Sequence, residues 1–345
     1  MKLFADFHHH ALWQSLRLTF EDRFGWQLYR PIGMTWFERY AWNFERHLGD
    51  AVAHQYLDFW PGDRDCGDHW ERDDRQNPGR VHRMVTFEQA HDLRPDVVMA
   101  TLEHNERAFA HLAGEWGARY AIQIGNQWGD VDWRDVDFAL ISAKPIAVPA
   151  GIPHLVYHQE FDLDTFRYVP PAGFGPVRSF VQCFPETPEY PRFRQLAEAA
   201  RDLDWQVYGA YGRAPLDEWA AGNIEATPAV ADAMRDAGLI YHAKYWSDGY
   251  GHVIHNAFAV GRPVLGSARY YAGKLAEPLW VEGETSFDLD RRTRGETIDL
   301  IRDLRADPDR YLRMCEAAAA RFREVVDFDA EADQIAELAG AAVPA

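Results

Sequence analysis

Residues Leu239–Ser267 read LIYHAKYWSDGYGHVIHNAFAVGRPVLGS. The apolar run LIYHAKY ends in a polar turn that contains Gly249 and Gly251. GHVIHNAFAVG spaces its apolar side chains for a short helix, Gly261 stops it, and RPVLGS begins a second apolar run. Strand, glycine turn, helix and strand in that order predict parallel strands joined by a crossover helix. Glycines at such a turn let backbone amides come close to a ligand. The helix start near Gly251 and His252 presents free amides and the positive end of a dipole, which suits an anion. Lys244 at the strand end adds a cation, so a phosphate is the natural ligand. The competing reading is that the glycines serve turn geometry alone.

The same rhythm extends outward in both directions. RSFVQCF, WQVYGAYG, LIYHAKY and RPVLGS read as strands, with helices YPRFRQLAEAARDLD and PAVADAMRDAG between them. Residues 296–342 read as helical. Towards the N-terminus, MKLFADF, DVVMAT, ARYAIQIGN, DFALIS and HLVYHQEF read as strands. ALWQSLRLTFEDRFG, FERYAWNFERHLGDAVAHQYLDFW and LEHNERAFAHLAGEWG read as helices, and Pro61–Gly79 as a polar, solvated loop. YVPPAGFGPV, rich in proline and glycine, reads as an interdomain linker. The expected organisation is an α/β chain of two doubly wound, Rossmann-like domains facing a cleft. Residues 1–168 form the first domain, 169–175 the linker, 176–325 the second domain and 326–345 a C-terminal helix. In open parallel sheets ligands bind beyond the carboxyl ends of the strands.

Composition agrees. At roughly 150 residues per domain, 345 residues suggest about two domains. Hydrophobic residues at 47% and charged residues at 26% exclude a disordered or collagen-like chain. No apolar run approaches the ~18 residues that span a bilayer, and MKLFADFHHH meets charge and histidine too early for a secretory leader. Cys66, Cys183 and Cys315 include no Cys-x-x-Cys pair, which argues against a disulfide framework and a thiolate zinc site and points to a reducing cytoplasm. A net charge of −18 opposes non-specific binding to nucleic acid or anionic membrane, leaving room for a local basic cleft.

The string DGYGHVIHNAFAVGRPV resembles the donor-binding segment of retaining GT-B glycosyltransferases that carry an E-x7-E motif, E-G-F-G-x-x-x-x-E-A-M-A-x-G-x-P-V. Gly249, Gly251, Ala257, Ala259, Gly261, Pro263 and Val264 coincide with it. Asp248 stands at the first glutamate and Asn256 at the second. YHQEFDLDTF is similar to the family's N-G-V-D-x-x-x-F at Asp162 and Phe166, and EPLWVEGETSFDLD to its donor-loop segment. The resemblance covers roughly the C-terminal half. It implies a GT-B fold and a nucleotide-diphosphate sugar, foremost a UDP-sugar, as co-substrate, with no bound cofactor or metal. Lys244, Gly249, Tyr250, Gly251, His252, Asn256, Arg262, Glu284 and Thr285 become candidate donor contacts, and Asp248 a candidate catalytic carboxylate. The family's basic residues after the first C-terminal strand are missing from VQCFPETPEY, so Lys244, Arg262 or Arg269 would neutralise the diphosphate.

FADFHHHAL places Asp6, His8, His9 and His10 at the end of the first strand. Imidazole titrates near neutrality, so one of these, or His104 after DVVMAT, could act as general base on an acceptor hydroxyl. The plainer reading is that one caps the helix or packs beside Trp13. Asp-x-His-x-His also resembles metal-dependent hydrolases of the amidohydrolase and PHP types, with His104, His154, His158 and His242 as further ligand candidates. Asn256 in place of the second glutamate also allows a silent GT-B binding protein, which would hold a nucleotide sugar without turning it over, and a DNA-base glucosyltransferase would share the same fold, although the acidic net charge argues against that acceptor. The acceptor is not specified by the sequence.

Overall fold

A computed structural model of the chain describes residues 1–6, 9–32, 62–125, 129–144, 146–244 and 249–340, with His104 described by its backbone alone. The helix expected over FERYAWNFERHLGDAVAHQYLDFW lies outside these residues. The chain forms two units, Met1–Phe161 with Phe328–Ala345, and Asp162–Asp327.

The first unit holds strands β1 (Lys2–Ala5), β2 (Gln27–Pro31), β3 (Arg64–Asp65), β4 (Trp70–Asp73), β5 (Val81–Val85), β6 (Val97–Ala100), β7 (Arg119–Ile124), β8 (Phe138–Ile141) and β9 (His154–Val156). They form one sheet in the order β3-β4-β5-β2-β1-β6-β7-β8-β9. Pairing is parallel except along β3–β4–β5. The twofold alternation of a strand divides the core. Phe4, Val98 and Ile122 face helix Glu106–Trp116, while Leu3, Met99 and Leu140 face helix His10–Leu16 and the C-terminal helix Phe328–Ala339. That last helix is tied to its sheet through Glu331, whose carboxylate accepts from the His158 backbone amide at 2.8 Å and meets its ring Nδ1 at 2.6 Å.

The second unit holds β10 (Val177–Ser179), β11 (Trp205–Tyr208), β12 (Ala220–Gly222), β13 (Leu239–His242), β14 (Val264–Gly266) and β15 (Ser286–Asp288). The order is β12-β11-β10-β13-β14-β15, all parallel. Its core joins Val177, Trp205, Tyr241 and Leu265 to Phe193, Ile301 and Met314 of the covering helices. Among the described residues, no helix is long and apolar enough to cross a membrane.

Two features differ from the sequence expectation. The polar stretch 61–79 contains the β3–β4 hairpin, whose Arg64↔Glu71 pairing puts opposite charges across an edge ladder. Short, charged edge strands carry no apolar alternation for a pattern search to find. The stretch 169–175 is packed on the second unit: the Val169 carbonyl accepts from the Arg262 guanidinium and Phe174 lies 5.0 Å from the Tyr311 ring. The units divide ahead of it, at Phe161/Asp162.

Asp6, at the carboxyl end of β1, reaches the carboxyl end of β6. Its carboxylate accepts from the amides of Thr101 at 2.5 Å and Leu102 at 3.2 Å, and from Asn105 Nδ2 at 2.9 Å. Burial raises this carboxyl to about 6, although those donors pull it down, against an ordinary value of about 4. Between those two values the folded chain holds a proton that the unfolded chain has released. Stability therefore falls as pH rises through the window, by up to about 3 kcal/mol, and the loss is complete above it. Urea unfolding at several pH values from 4 to 7 should show this slope in the wild type and lose it in Asp6→Asn. Parallel pH profiles for the two chains would refute it.

Candidate functional site

The strand order of the second unit is the 3-2-1-4-5-6 order of dinucleotide-binding sheets. From β10 the chain winds outward to β11 and β12, and from β13 it winds the opposite way to β14 and β15. The crevice opens where the direction reverses, beyond the carboxyl ends of β10 and β13. Lys244 lies two residues beyond His242, the last residue of β13, and is half-buried; Gly249–Gly251 lead into the next helix.

Gly251 caps helix His252–Ala259 with φ of 86°. An L side chain is strained there, so glycine is required on conformational grounds. The carbonyl of Gly251 accepts from the amides of Ile254 and His255 and meets His255 Nδ1 at 3.0 Å, so that nitrogen is the protonated one. The amides of the first helical turn point away from the helix body. Tyr250 is 2% exposed; its ring stacks on His255 at 4.1 Å and meets His252 edge-on at 4.8 Å. The turn therefore rests on a Tyr250–His255 stack. His255 was not singled out in the sequence; the only signal was its position four residues after the capping glycine. Asn256 is half-buried, and its Oδ1 is enclosed without a hydrogen-bond partner among the described residues.

Gly261 ends the helix at φ of 70°, and a Cβ there would come within 2.3 Å of the Tyr168 ring and 2.8 Å of the Cys315 carbonyl. The glycine is thus required by close packing as well as by conformation.

Several candidates are engaged elsewhere. Arg262 is 1% exposed. Its guanidinium donates to the carbonyls of Arg235, Val260, Gly261 and Val169. It closes the helix end, and these carbonyls, not an open crevice, surround its guanidinium. Thr285 is fully buried; its hydroxyl donates to the Leu279 carbonyl at 2.7 Å and accepts from the Val281 amide at 2.9 Å, so it holds its own loop. Glu284 beside it is exposed. Tyr250 contributes packing under the turn. Asp248 lies outside the described residues.

In the first unit, His9 Nδ1 accepts from the Leu12 amide at 3.1 Å, so His9 is a helix cap and that nitrogen is not a free base. Asp6 is held by Thr101, Leu102 and Asn105 and takes no part in an Asp-x-His-x-His metal site. His8 lies outside the described residues, and His104 sits in a 3-10 turn, Glu103–Asn105. His10 instead meets two residues that the linear pattern did not point to. Its ring is 6.0 Å from His82, and His10, Asp74 and His82 bring one ligand atom each within 4.8 Å of one another. The Asp74 carboxylate is already saturated: Oδ1 accepts from the amides of Gln76 and Asn77, Oδ2 from Asn77 Nδ2 at 3.0 Å and Arg17 Nη1 at 2.8 Å. Burial, with Arg30 and Arg17 nearby, lowers His82 to about 4, so its ring is neutral at physiological pH. His154 is exposed, His158 is bonded to Glu331, and His242 belongs to the second unit. Among the described residues of the first unit the hydrolase ligand set is not assembled, and each sheet is open rather than a closed barrel.

No protein-family model matches the chain, and no curated protein matches it in sequence. Solved structures do. HepE of Anabaena, in complex with UDP and glucose, superposes with a TM-score of 0.64 at 12% identity over 97% of this chain and 98% of that one. A glycosyltransferase from Rickettsia africae gives 0.64 at 10% identity over 98% and 97%. An alpha-glucosyltransferase in complex with UDP-glucose and DNA containing an abasic site gives 0.59 at 10% identity over 98% and 99%. The chain has the GT-B fold.

The role of Arg262 can be checked directly. Arg262→Ala orphans several buried carbonyls and should lower stability by about 3 kcal/mol or more. At low temperature, where the variant stays folded, its affinity for UDP should equal the wild type's by calorimetry; a large specific loss would return Arg262 to the ligand site.

Proposed function

We propose that the chain is a glycosyltransferase that moves a sugar from a nucleotide-diphosphate sugar, foremost a UDP-sugar, to a hydroxyl acceptor without a metal in the chemical step. One observation carries the reading: the crevice at β10 and β13 is furnished with a glycine-capped helix start and a lysine. The GT-B fold supports it, since similar structures hold UDP or UDP-glucose.

The chemistry follows from where charge develops. As the glycosidic bond breaks, negative charge grows on the diphosphate. Amides at Gly249–His252 and the Lys244 ammonium meet that charge from fixed positions and stabilise the transition state more than the ground state. In the family that the chain resembles the first carboxylate of the motif serves the donor sugar, where positive charge develops, and Asp248 holds that position in the sequence. Asn256 offers its buried carbonyl oxygen to a ribose hydroxyl, and Glu284 meets sugar hydroxyls. His10, and His8 beside it in sequence, are the acceptor-side bases of this reading. Resemblance to the retaining group favours retention at the anomeric carbon. Three unbridged cysteines fit a cytoplasmic setting. DNA is a weaker acceptor candidate, because a net charge of −18 repels it.

Thermal-shift measurements with UDP-, GDP-, ADP- and dTDP-sugars, run beside divalent metals, test the class. A nucleotide sugar should raise the unfolding temperature by binding the folded form, and a response to metals alone would overturn the reading. Lys244→Ala should weaken diphosphate binding by about 1.5–3 kcal/mol, roughly 10- to 150-fold. Asp248→Asn should depress transfer with binding and folding retained. Binding with no turnover on any acceptor, and no donor hydrolysis, would favour the silent binding protein that an asparagine at position 256 allows.

A further inference from the structure

The β3–β4 hairpin lies outside the proposed donor site, and its turn assembles a separate constellation. The Cys66 amide donates to the His69 carbonyl at 2.8 Å, closing a four-residue turn. Gly67 sits in that turn at φ of 91°, and its amide donates to Asp65 Oδ1 at 2.8 Å. Glu71 lies in β4, two residues after His69, and its Oε1 is 3.3 Å from His69 Nε2. Cys66, His69 and Glu71 each bring a ligand atom within 4.8 Å of the others. We propose that these three residues bind a divalent transition-metal ion, zinc foremost, with water in the fourth position. A thiolate, an imidazole and a carboxylate form a donor set suited to tetrahedral zinc.

The imidazole gives the strongest indication. His69 Nδ1 lies 2.5 Å from Asp68 Oδ1 and Nε2 lies 3.3 Å from Glu71 Oε1. Asp68 thus holds one ring nitrogen, and the other is turned to Glu71, where an ion would be shared by Nε2 and Oε1. With a cation there, Asp68 becomes the outer carboxylate that orients a metal-bound histidine. Glu71 Oε2 is 3.5 Å from Arg64, leaving Oε1 turned to the ion. Tyr29 meets the ring edge-on at 5.9 Å, and Gln89 Nε2 braces the turn through the Gly67 carbonyl at 3.4 Å. Cys66 is exposed, so an ion enters from solvent.

The full-length chain, stripped with chelator, is titrated with zinc chloride against a chromophoric competitor. One equivalent should bind. Cys66→Ser and His69→Ala should each weaken it by about a hundredfold or more, since even outer partners of a metal ligand are worth about 10–100-fold. Cobalt substitution should give a thiolate charge-transfer band that Cys66→Ser abolishes. His82→Asn, in the His10–Asp74–His82 group, should leave the equivalent in place. Should the hairpin variants fail to fold, the wild type still decides the matter. Zinc should protect Cys66 from iodoacetamide, read by peptide mass, while Cys183 and Cys315 alkylate as before. No bound equivalent, binding unchanged in Cys66→Ser, loss of binding in His82→Asn, or alkylation of Cys66 at the same rate with zinc would overturn the assignment.

Discussion

Parallel strands that wind away from a sheet's centre in opposite directions leave a crevice that neither set of crossover helices covers. In the second unit this crevice lies between β10 and β13, and the features of the proposed site are local answers to it. The chain must leave β13 and enter a helix close to the sheet, and Gly251 adopts the left-handed conformation that makes the turn. It must then leave the helix where Tyr168 and the Cys315 carbonyl crowd it, and Gly261 fits where a Cβ would not. The buried Tyr250 stacks on His255, so packing holds the start of the helix in place.

The first unit contains the same reversal, between β1 and β6, and treats it differently. There the Asp6 carboxylate occupies the opening and accepts from amides just beyond β6. A side-chain anion thus takes the place that a ligand anion would take in the second unit. The cost shows in the raised Asp6 carboxyl, a charge kept in a buried position by three donors. This asymmetry, one reversal plugged and the other furnished with glycine and lysine, is a structural reason for assigning the donor to the second unit.

Much of this was legible in the sequence, and the gaps have physical causes. Buried parallel strands such as VVMA and LIYH are continuous apolar runs, and amphipathic helices such as Glu106–Trp116 show their period, so both sheets could be anticipated. Strand order could not, because a buried parallel strand offers the same backbone edges to any neighbour and the apolar run does not say which one it meets. The candidate residues sort by the same logic. Gly251 and Gly261 were identified by turn chemistry, and the backbone angles explain both. Arg262 and Thr285 were placed by motif position, yet each is drawn inward by carbonyls that no linear spacing reveals. His9 became a cap because its Nδ1 lies within reach of the Leu12 amide. His10 found its neighbours His82 and Asp74 through the sheet, across a long separation in the chain.

The engagement of Arg262 bears on how an acidic protein would hold a diphosphate. Arg178 and Arg235 are also drawn to carbonyls within the second unit, those of Ala233 and Thr165. Among the cations that the sequence suggested, Lys244 is the one at the end of β13. Recognition would then rest chiefly on neutral donors fixed by the backbone. Such donors act at hydrogen-bond range and fade beyond it, whereas a basic cluster attracts any polyanion from a distance. A net charge of −18 and a site built from amides are therefore compatible in the proposed reading: such a global field opposes non-specific contact with nucleic acid, while a local set of amides would suit a small anion that fits the turn.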